Sequence, residues 1–172
     1  VSLSFYSPAP RPADERSRQN AVDASGVIWA PPDAALHSVV ATAAMRFGTA
    51  MAAVSIIDRD RQWFAARVGI GLPETSRAIS FCAHAILNPG EPLVIEDAEK
   101  DERFAGNPLV IGDPHIAFYA GMPIVDDEGY ALGALCILDR APRSFNAGDR
   151  EMLADLSRRA GRAIADLAES RS

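Results

Sequence analysis

The chain has 172 residues, the length of one domain with room for an extension, and its 48% hydrophobic and 23% charged residues supply enough apolar material for a core, which excludes a wholly disordered chain. Seventeen Lys and Arg against 23 Asp and Glu leave a formal net charge of −6, the wrong sign for following a phosphate backbone or an anionic bilayer, so neither nucleic acid nor membrane is expected as a partner. The longest apolar run, over 50–57, falls far short of the roughly 20 residues of a spanning helix, the proline-bearing N-terminus is unlike a signal peptide, and a cytoplasmic location is expected.

Residues 1–25 carry Pro8, Pro10 and Pro12 and then a polar stretch without an apolar period, and are expected to form a mobile tail. Order is expected from Val27-Ile28-Trp29, ahead of Pro31-Pro32 and of Asp33, a residue suited to cap a helix. Leu36, Val39, Val40, Ala43 and Phe47 recur at helical spacing and predict a helix over 34–47. Two β-like runs, 51–58 and 62–68, flank the charged turn Asp58-Arg59-Asp60-Arg61 and read as a hairpin. Ser80 precedes a short helix over 81–87 that stops near Asn88-Pro89-Gly90, and Leu93-Val94-Ile95 is a short strand.

From 97 to 114 the chain reads as an irregular loop with single helical turns at 101–104 and 107–110; a loop of that length within a compact domain is functional or packed against something. Strands over 116–125 and 131–139 surround Gly129, a residue free to take a positive φ. Asn146, with Asp149 three residues on, opens a long helix whose stripe is Leu153, Leu156, Ala160, Ala163 and Leu167. Hairpin-joined strands between helices predict an α+β domain built on an antiparallel sheet.

Several segments, in order, carry a family resemblance. They are Val27-Ile28-Trp29 through Asp33, Val54-Ser55-Ile56-Ile57-Asp58 with Gln62-Trp63-Phe64, and Ser80-Phe81-Cys82-Ala83-His84-Ala85-Ile86. Asp101-Glu102-Arg103-Phe104 with Asn107-Pro108-Leu109-Val110, Phe118-Tyr119-Ala120-Gly121, and Leu132-Gly133-Ala134-Leu135-Cys136-Ile137-Leu138-Asp139 complete the set. Over residues 26–168 the chain resembles a GAF domain of a bacterial subgroup found ahead of signalling output domains, with 169–172 left as the C-terminal end. The resemblance implies a GAF-like antiparallel sheet of order 2-1-5-4-3, terminal helices packed on one face and used for dimerisation, and a small-molecule pocket beneath the short helix and long loop on the other. It implies a sensory or regulatory module that acts through a homodimer or a signalling output protein.

Phe81, Cys82, His84, Phe104, His115 and Tyr119 fall on the elements expected to cover the sheet and are the expected ligand-binding residues. The motifs depart from three subtypes. Ala83 separates Cys82 from His84, unlike the Cys-His pair that attaches a bilin; the cyclic-nucleotide signature is missing at Asn107-Pro108; and two cysteines do not reproduce the pattern of methionine sulfoxide reductases. No cofactor, metal or catalytic residue is expected, and the domain is read as not an enzyme.

The alternatives are a ligand-free dimerisation scaffold and a thiol reductase using Cys82 as nucleophile. In the first turn of its helix Cys82 would gain thiolate character, while His84, roughly 200° around the helix, points away from it. Cys136, alternating with Leu132, Ala134 and Leu138 on one strand face, is expected to be buried and a poor resolving thiol.

Overall fold

The computed structural model describes residues 5–170. Its helices are α1 (Glu15–Ser25), α2 (Ala34–Phe47), α3 (Cys82–Ala85), α4 (Pro108–Ile111) and α5 (Ala147–Ser170), with short 3-10 turns at Val27–Trp29, Arg77–Ile79 and Ala98–Lys100. Its strands are β1 (Met51–Asp58), β2 (Arg61–Val68), β3 (Glu74–Ser76), β4 (Leu93–Ile95), β5 (Phe118–Val125) and β6 (Ala131–Asp139). They form one antiparallel sheet of order β3-β2-β1-β6-β5-β4. The expected order 2-1-5-4-3 survives within it, and the difference is an added edge strand, β3. Its three residues, two of them exposed, offer no apolar alternation to read, and it exists because Arg61, Gln62 and Trp63 of β2 pair with it.

Local signals fixed the ends of the main helices. The Asp33 carboxylate accepts from the Leu36 N–H at 3.0 Å, and Gly48, at φ 65°, closes α2 in the left-handed region. Asn146 and Asp149 exchange bonds: the Asn146 N–H donates to the Asp149 carboxylate at 2.9 Å, and the Asp149 N–H donates to the Asn146 side-chain oxygen at 2.8 Å. Asp33→Ala is expected to lower stability by about 1 kcal/mol without changing the fold, as read from the urea midpoint.

β1 is buried along its whole length because both faces of the sheet are covered, which is why it reads as a continuous apolar run instead of an alternating one. On one face Ala52, Val54 and Ile56 join Leu36, Val40 and Phe47 of α2 and Leu153, Leu156 and Ala160 of α5 in the larger core. On the other, Met51, Ala53 and Ile57 meet Phe81, Cys82 and Ala85 of the α3 segment together with Phe104 and Ile116.

One sequence expectation is corrected here. Residues 15–25 are not a tail: they form α1, which lies at one end of the sheet with Arg18, Val22 and Ser25 buried. Its few apolar residues make no stripe, since the anchor is an arginine. Arg18 donates to the Ile57 carbonyl at 2.8 Å, the Ala131 carbonyl at 3.2 Å and the Glu15 carboxylate at 2.8 Å. Residues 1–4 of the expected tail, and residues 171 and 172 of the expected C-terminal end, lie outside the described residues.

The stripe on α5 faces inward. Leu153, Leu156, Ala160, Ala163 and Ile164 are buried in the larger core, and a Cβ added at Gly161 would touch the Val125 carbonyl oxygen at 3.5 Å. These residues of the stripe therefore pack on the domain's own sheet and α2. The outward face of α5 is charged, with Asp155, Arg158, Arg159, Arg162 and Asp166 exposed.

Candidate functional site

The site lies on the sheet face opposite α2 and α5. Ser80 positions its short helix from outside: the Ser80 hydroxyl accepts from the Ala83 N–H at 3.0 Å and donates to the Gln62 side-chain oxygen at 2.8 Å, tying α3 to β2. Ser55 of β1 donates to that same oxygen at 2.8 Å, and the Gln62 amide donates to the Thr75 hydroxyl at 3.0 Å. Gln62 is buried and satisfied, and it spans the strands that floor a cavity of about 260 Å³.

The walls of that cavity are mostly apolar. Met51, Phe64, Leu138 and Tyr119 come from the sheet, Phe81 and Cys82 from the α3 segment, Ile70 and Leu72 from the loop after β2, and Leu109, Pro114 and Ile116 from the long loop. The polar edges are Gln62, Thr75 and Asp113 with the two thiols, and among the described residues that line it there is no lysine, arginine or histidine. Its volume is just under the ~300–1,000 Å³ of ordinary ligand pockets and it is partly open to solvent. A second concavity, of about 300 Å³, lies on the opposite side of β2 between Pro31-Pro32, Leu36 and Leu167, and contains none of the residues the sequence nominated.

Of the six expected site residues, Phe81, Cys82 and Tyr119 line the first cavity and three do not. Phe104 is wholly buried and stacks on Phe81 with ring centroids 4.2 Å apart, so it backs the wall from behind. His84 turns away, as its helical position dictates: its Nε2 meets the Ser7 carbonyl oxygen at 2.8 Å and its ring stands edge-on to Phe104 at 4.8 Å. Burial holds His84 below the usual histidine range, which the hydrogen bond to Ser7 only partly opposes. His115 is exposed, at φ 61°, next to the cavity-lining Pro114 and Ile116.

Cys136 was expected to be buried and a poor resolving thiol. It is buried, yet it faces this cavity beside Cys82, on the same side of the sheet as Tyr119. Leu132 is not on that face. An extra residue in β6 shifts its register against β5 between Ile124 and Val125, so Leu132 joins Leu135 and Ile137 on the helix side while Ala134, Cys136 and Leu138 share the cavity side. Strict alternation, projected through the bulge, put Leu132 on the wrong face.

Tyr119 reaches Cys82 because Gly121, two residues along the same face of β5, has no side chain; a Cβ there would lie 2.0 Å from the Tyr119 hydroxyl. The phenol donates to the Cys82 sulfur at 3.0 Å. Burial pushes the Cys82 thiol up, but hydrogen bonds from Cys136, Tyr119 and Ser55 outweigh it and hold the thiol below its ordinary range. Its partners move the other way. Cys136 is raised well above the ordinary thiol by its bond to Cys82 and by burial, and Tyr119 is raised by burial and the neighbouring Cys82 charge.

Residues 31–164 match the GAF domain family, a span that contains every strand, α2 and most of α5. The chain belongs to the GAF domain family. It is 46% identical over 134 residues to the cyclic di-GMP phosphodiesterase PA2567 of Pseudomonas aeruginosa; the match covers 78% of this chain but 23% of that protein. The GAF domain of an Acinetobacter phosphoenolpyruvate-protein phosphotransferase superposes with a TM-score of 0.65 at 15% identity, covering 91% of this chain and 96% of its own. A free methionine-R-sulfoxide reductase of Neisseria meningitidis superposes with a TM-score of 0.63 at 16% identity over 100% of both chains.

These likenesses show the fold and a sensory and regulatory family, and they correct the expectation that the chain is not an enzyme. The relative at 46% identity bears the name of a phosphodiesterase, and a reductase shares the whole architecture, so membership of this family does not exclude catalysis. Among the described residues, no helix is long and apolar enough to cross a membrane.

Proposed function

We propose that this GAF domain is a sensory module that regulates cyclic di-GMP hydrolysis by binding a small, uncharged, largely apolar ligand in the cavity beneath α3. The observation that carries the reading is the lining itself: apolar walls, Gln62 and Thr75 as polar edges, and no cationic side chain. Such a lining suits a ligand with one or two hydrogen-bonding groups. Cyclic di-GMP, with two phosphodiester charges, would meet no compensating cation there, so it is the molecule whose breakdown is regulated and not the cavity's ligand. The phosphodiesterase connection rests on the 46% identity to a protein of that name.

A route for the signal is built into β5. Tyr119 projects into the cavity from one face of that strand, while Phe118 and Ala120 on the other face belong to the core shared with α5. The Ser157 hydroxyl of α5 donates to the Pro123 carbonyl of the same strand at 2.9 Å. A ligand that displaces Tyr119 is therefore one strand's thickness from α5 on the opposite face of the sheet.

The test is a thermal-shift screen of small neutral metabolites, with cyclic di-GMP as a control. A ligand at 100 times its Kd should add about 2.7 kcal/mol, a rise of roughly 5–10 °C in Tm for a domain of this size, and cyclic di-GMP should give none. Leu72→Trp, in the exposed loop after β2, should fill the cavity from its rim and abolish the shift while leaving the unliganded Tm nearly unchanged, since Leu72 is 57% exposed. A shift that persists in Leu72→Trp, or a screen without any shift, would overturn ligand binding in this cavity and favour a scaffold.

A further inference from the structure

We propose that Cys82 and Cys136 form a thiol pair that a small hydroperoxide, entering through the cavity, converts to a disulfide within the domain. Cys82 stands at the start of α3 and Cys136 in the middle of β6, 54 positions apart in sequence, and the fold sets both against the same cavity with α3 packed on β6. They are the only two cysteines of the chain, and no disulfide joins them. The cavity is partly open to solvent, so their low surface exposure does not seal them from a molecule as small as hydrogen peroxide.

The surroundings divide the roles. The Cys82 sulfur accepts the Tyr119 phenol at 3.0 Å and is the better thiolate, while the Cys136 thiol keeps its proton beside it. Cys82 thiolate attacks one peroxide oxygen; an S–O bond forms, the O–O bond breaks, and the departing hydroxide takes a proton from solvent to become water. The Cys136 sulfur then attacks the Cys82 sulfenic acid. The S–S bond forms, the S–O bond breaks, and the leaving hydroxyl carries off the Cys136 proton as a second water. The two thiols lose two electrons and the peroxide gains them.

This assignment does not rest on the ligand-binding reading, because an unliganded cavity admits peroxide equally well. It does change the cavity, since a disulfide would draw α3 toward β6 along the wall on which Tyr119 sits.

The experiment treats the reduced chain with one equivalent of hydrogen peroxide and counts thiols after denaturation, with mass spectrometry of unreduced peptides. The expected result is loss of both thiols, a mass lower by two hydrogen atoms, and a single peptide pair joining Cys82 to Cys136, all reversed by dithiothreitol. Cys136→Ser should stop at a Cys82 sulfenic acid that dimedone traps, Cys82→Ser should leave Cys136 unreacted, and Tyr119→Phe should slow the loss by about tenfold. Circular dichroism of each reduced variant establishes that it folds. Retention of both thiols, a disulfide between two copies, or oxidation of Cys82 alone in the unmutated chain would each overturn the proposal. If Cys82→Ser does not fold, the wild-type peptide map decides by itself.

Discussion

Replacing Arg18 with alanine is expected to cost about 3 kcal/mol or more and to release α1 from the sheet. Arg18 is 2% exposed, and its guanidinium donates to carbonyl oxygens of Ile57 and Ala131, at the hairpin end of β1 and the start of β6. Removing it leaves those acceptors buried without their donor and takes from Glu15 one of the three arginines that pair with it, the others being Arg77 at 2.6 Å and Arg11 at 3.6 Å. The loss should be seen as a lower urea midpoint and as faster amide exchange across 15–25, where Val22 is the one fully buried apolar side chain of α1 and Ala21 is partly buried beside it. Unchanged protection of those amides would show that the arginine contributes little.

The same cluster sets a pH dependence. Burial raises the Glu15 pKa, but the hydrogen bonds and charges of Arg18 and Arg77 overcome it and bring the group from an ordinary 4.5 to about 2. A depressed carboxylate pKa stabilises the fold fully above the unfolded value, and that contribution is lost as pH falls from 4.5 toward 2. Glu15→Gln should therefore lower stability at neutral pH and flatten its decline over that window, which chemical denaturation at several acidic pH values would measure.

Gly133→Ala is the second large effect, expected at about 3 kcal/mol or more, because the added Cβ would lie 1.8 Å from the Ser55 carbonyl oxygen and 2.8 Å from the Ile56 Cα. Both are backbone atoms of β1, the central strand, so no side-chain rotation relieves the clash. The position is crowded because bulges fall on both sides of it: β1 and β2 slip register between Val54 and Ser55, and β5 and β6 slip between Ile124 and Val125. Gly90→Ala serves as the control. A Cβ there meets nothing within 4 Å, and its urea midpoint should stay within about 0.5 kcal/mol of wild type. Equal stability of the two variants would mean that β1 and β6 can separate without penalty.

How far each feature was legible depended on whether its signal lay within one element. The apolar period over 34–47 and the Asp33 cap belong to a single helix, and the structure places α2 over those residues. The reciprocal Asn146–Asp149 cap of α5 is equally local. Helix α1 was missed because its anchor is one cation directed at carbonyls more than 30 positions away, a partnership without periodicity. Half of the expected ligand residues reached the cavity. Phe81, Cys82 and Tyr119 did, whereas Phe104 stands behind the wall and His84 and His115 point elsewhere, because knowing which element covers the sheet does not say which of its side chains point inward.

By itself the sequence determined an antiparallel α+β domain with its main helices and strands in place, since burial periodicity, capping and turn chemistry act between residues a few positions apart, and its ordered motifs carried the resemblance to the GAF family. Only the tertiary structure decided that Cys82 and Cys136 share one cavity, that Gln62 ties β1, β2, β3 and the α3 segment together, and that the α5 stripe is covered by its own sheet. A cavity is a space left between elements distant in sequence. Its walls are set by register and by bulges, and one extra residue at the start of β6 was enough to move Leu132 to the far side of the sheet from Cys136.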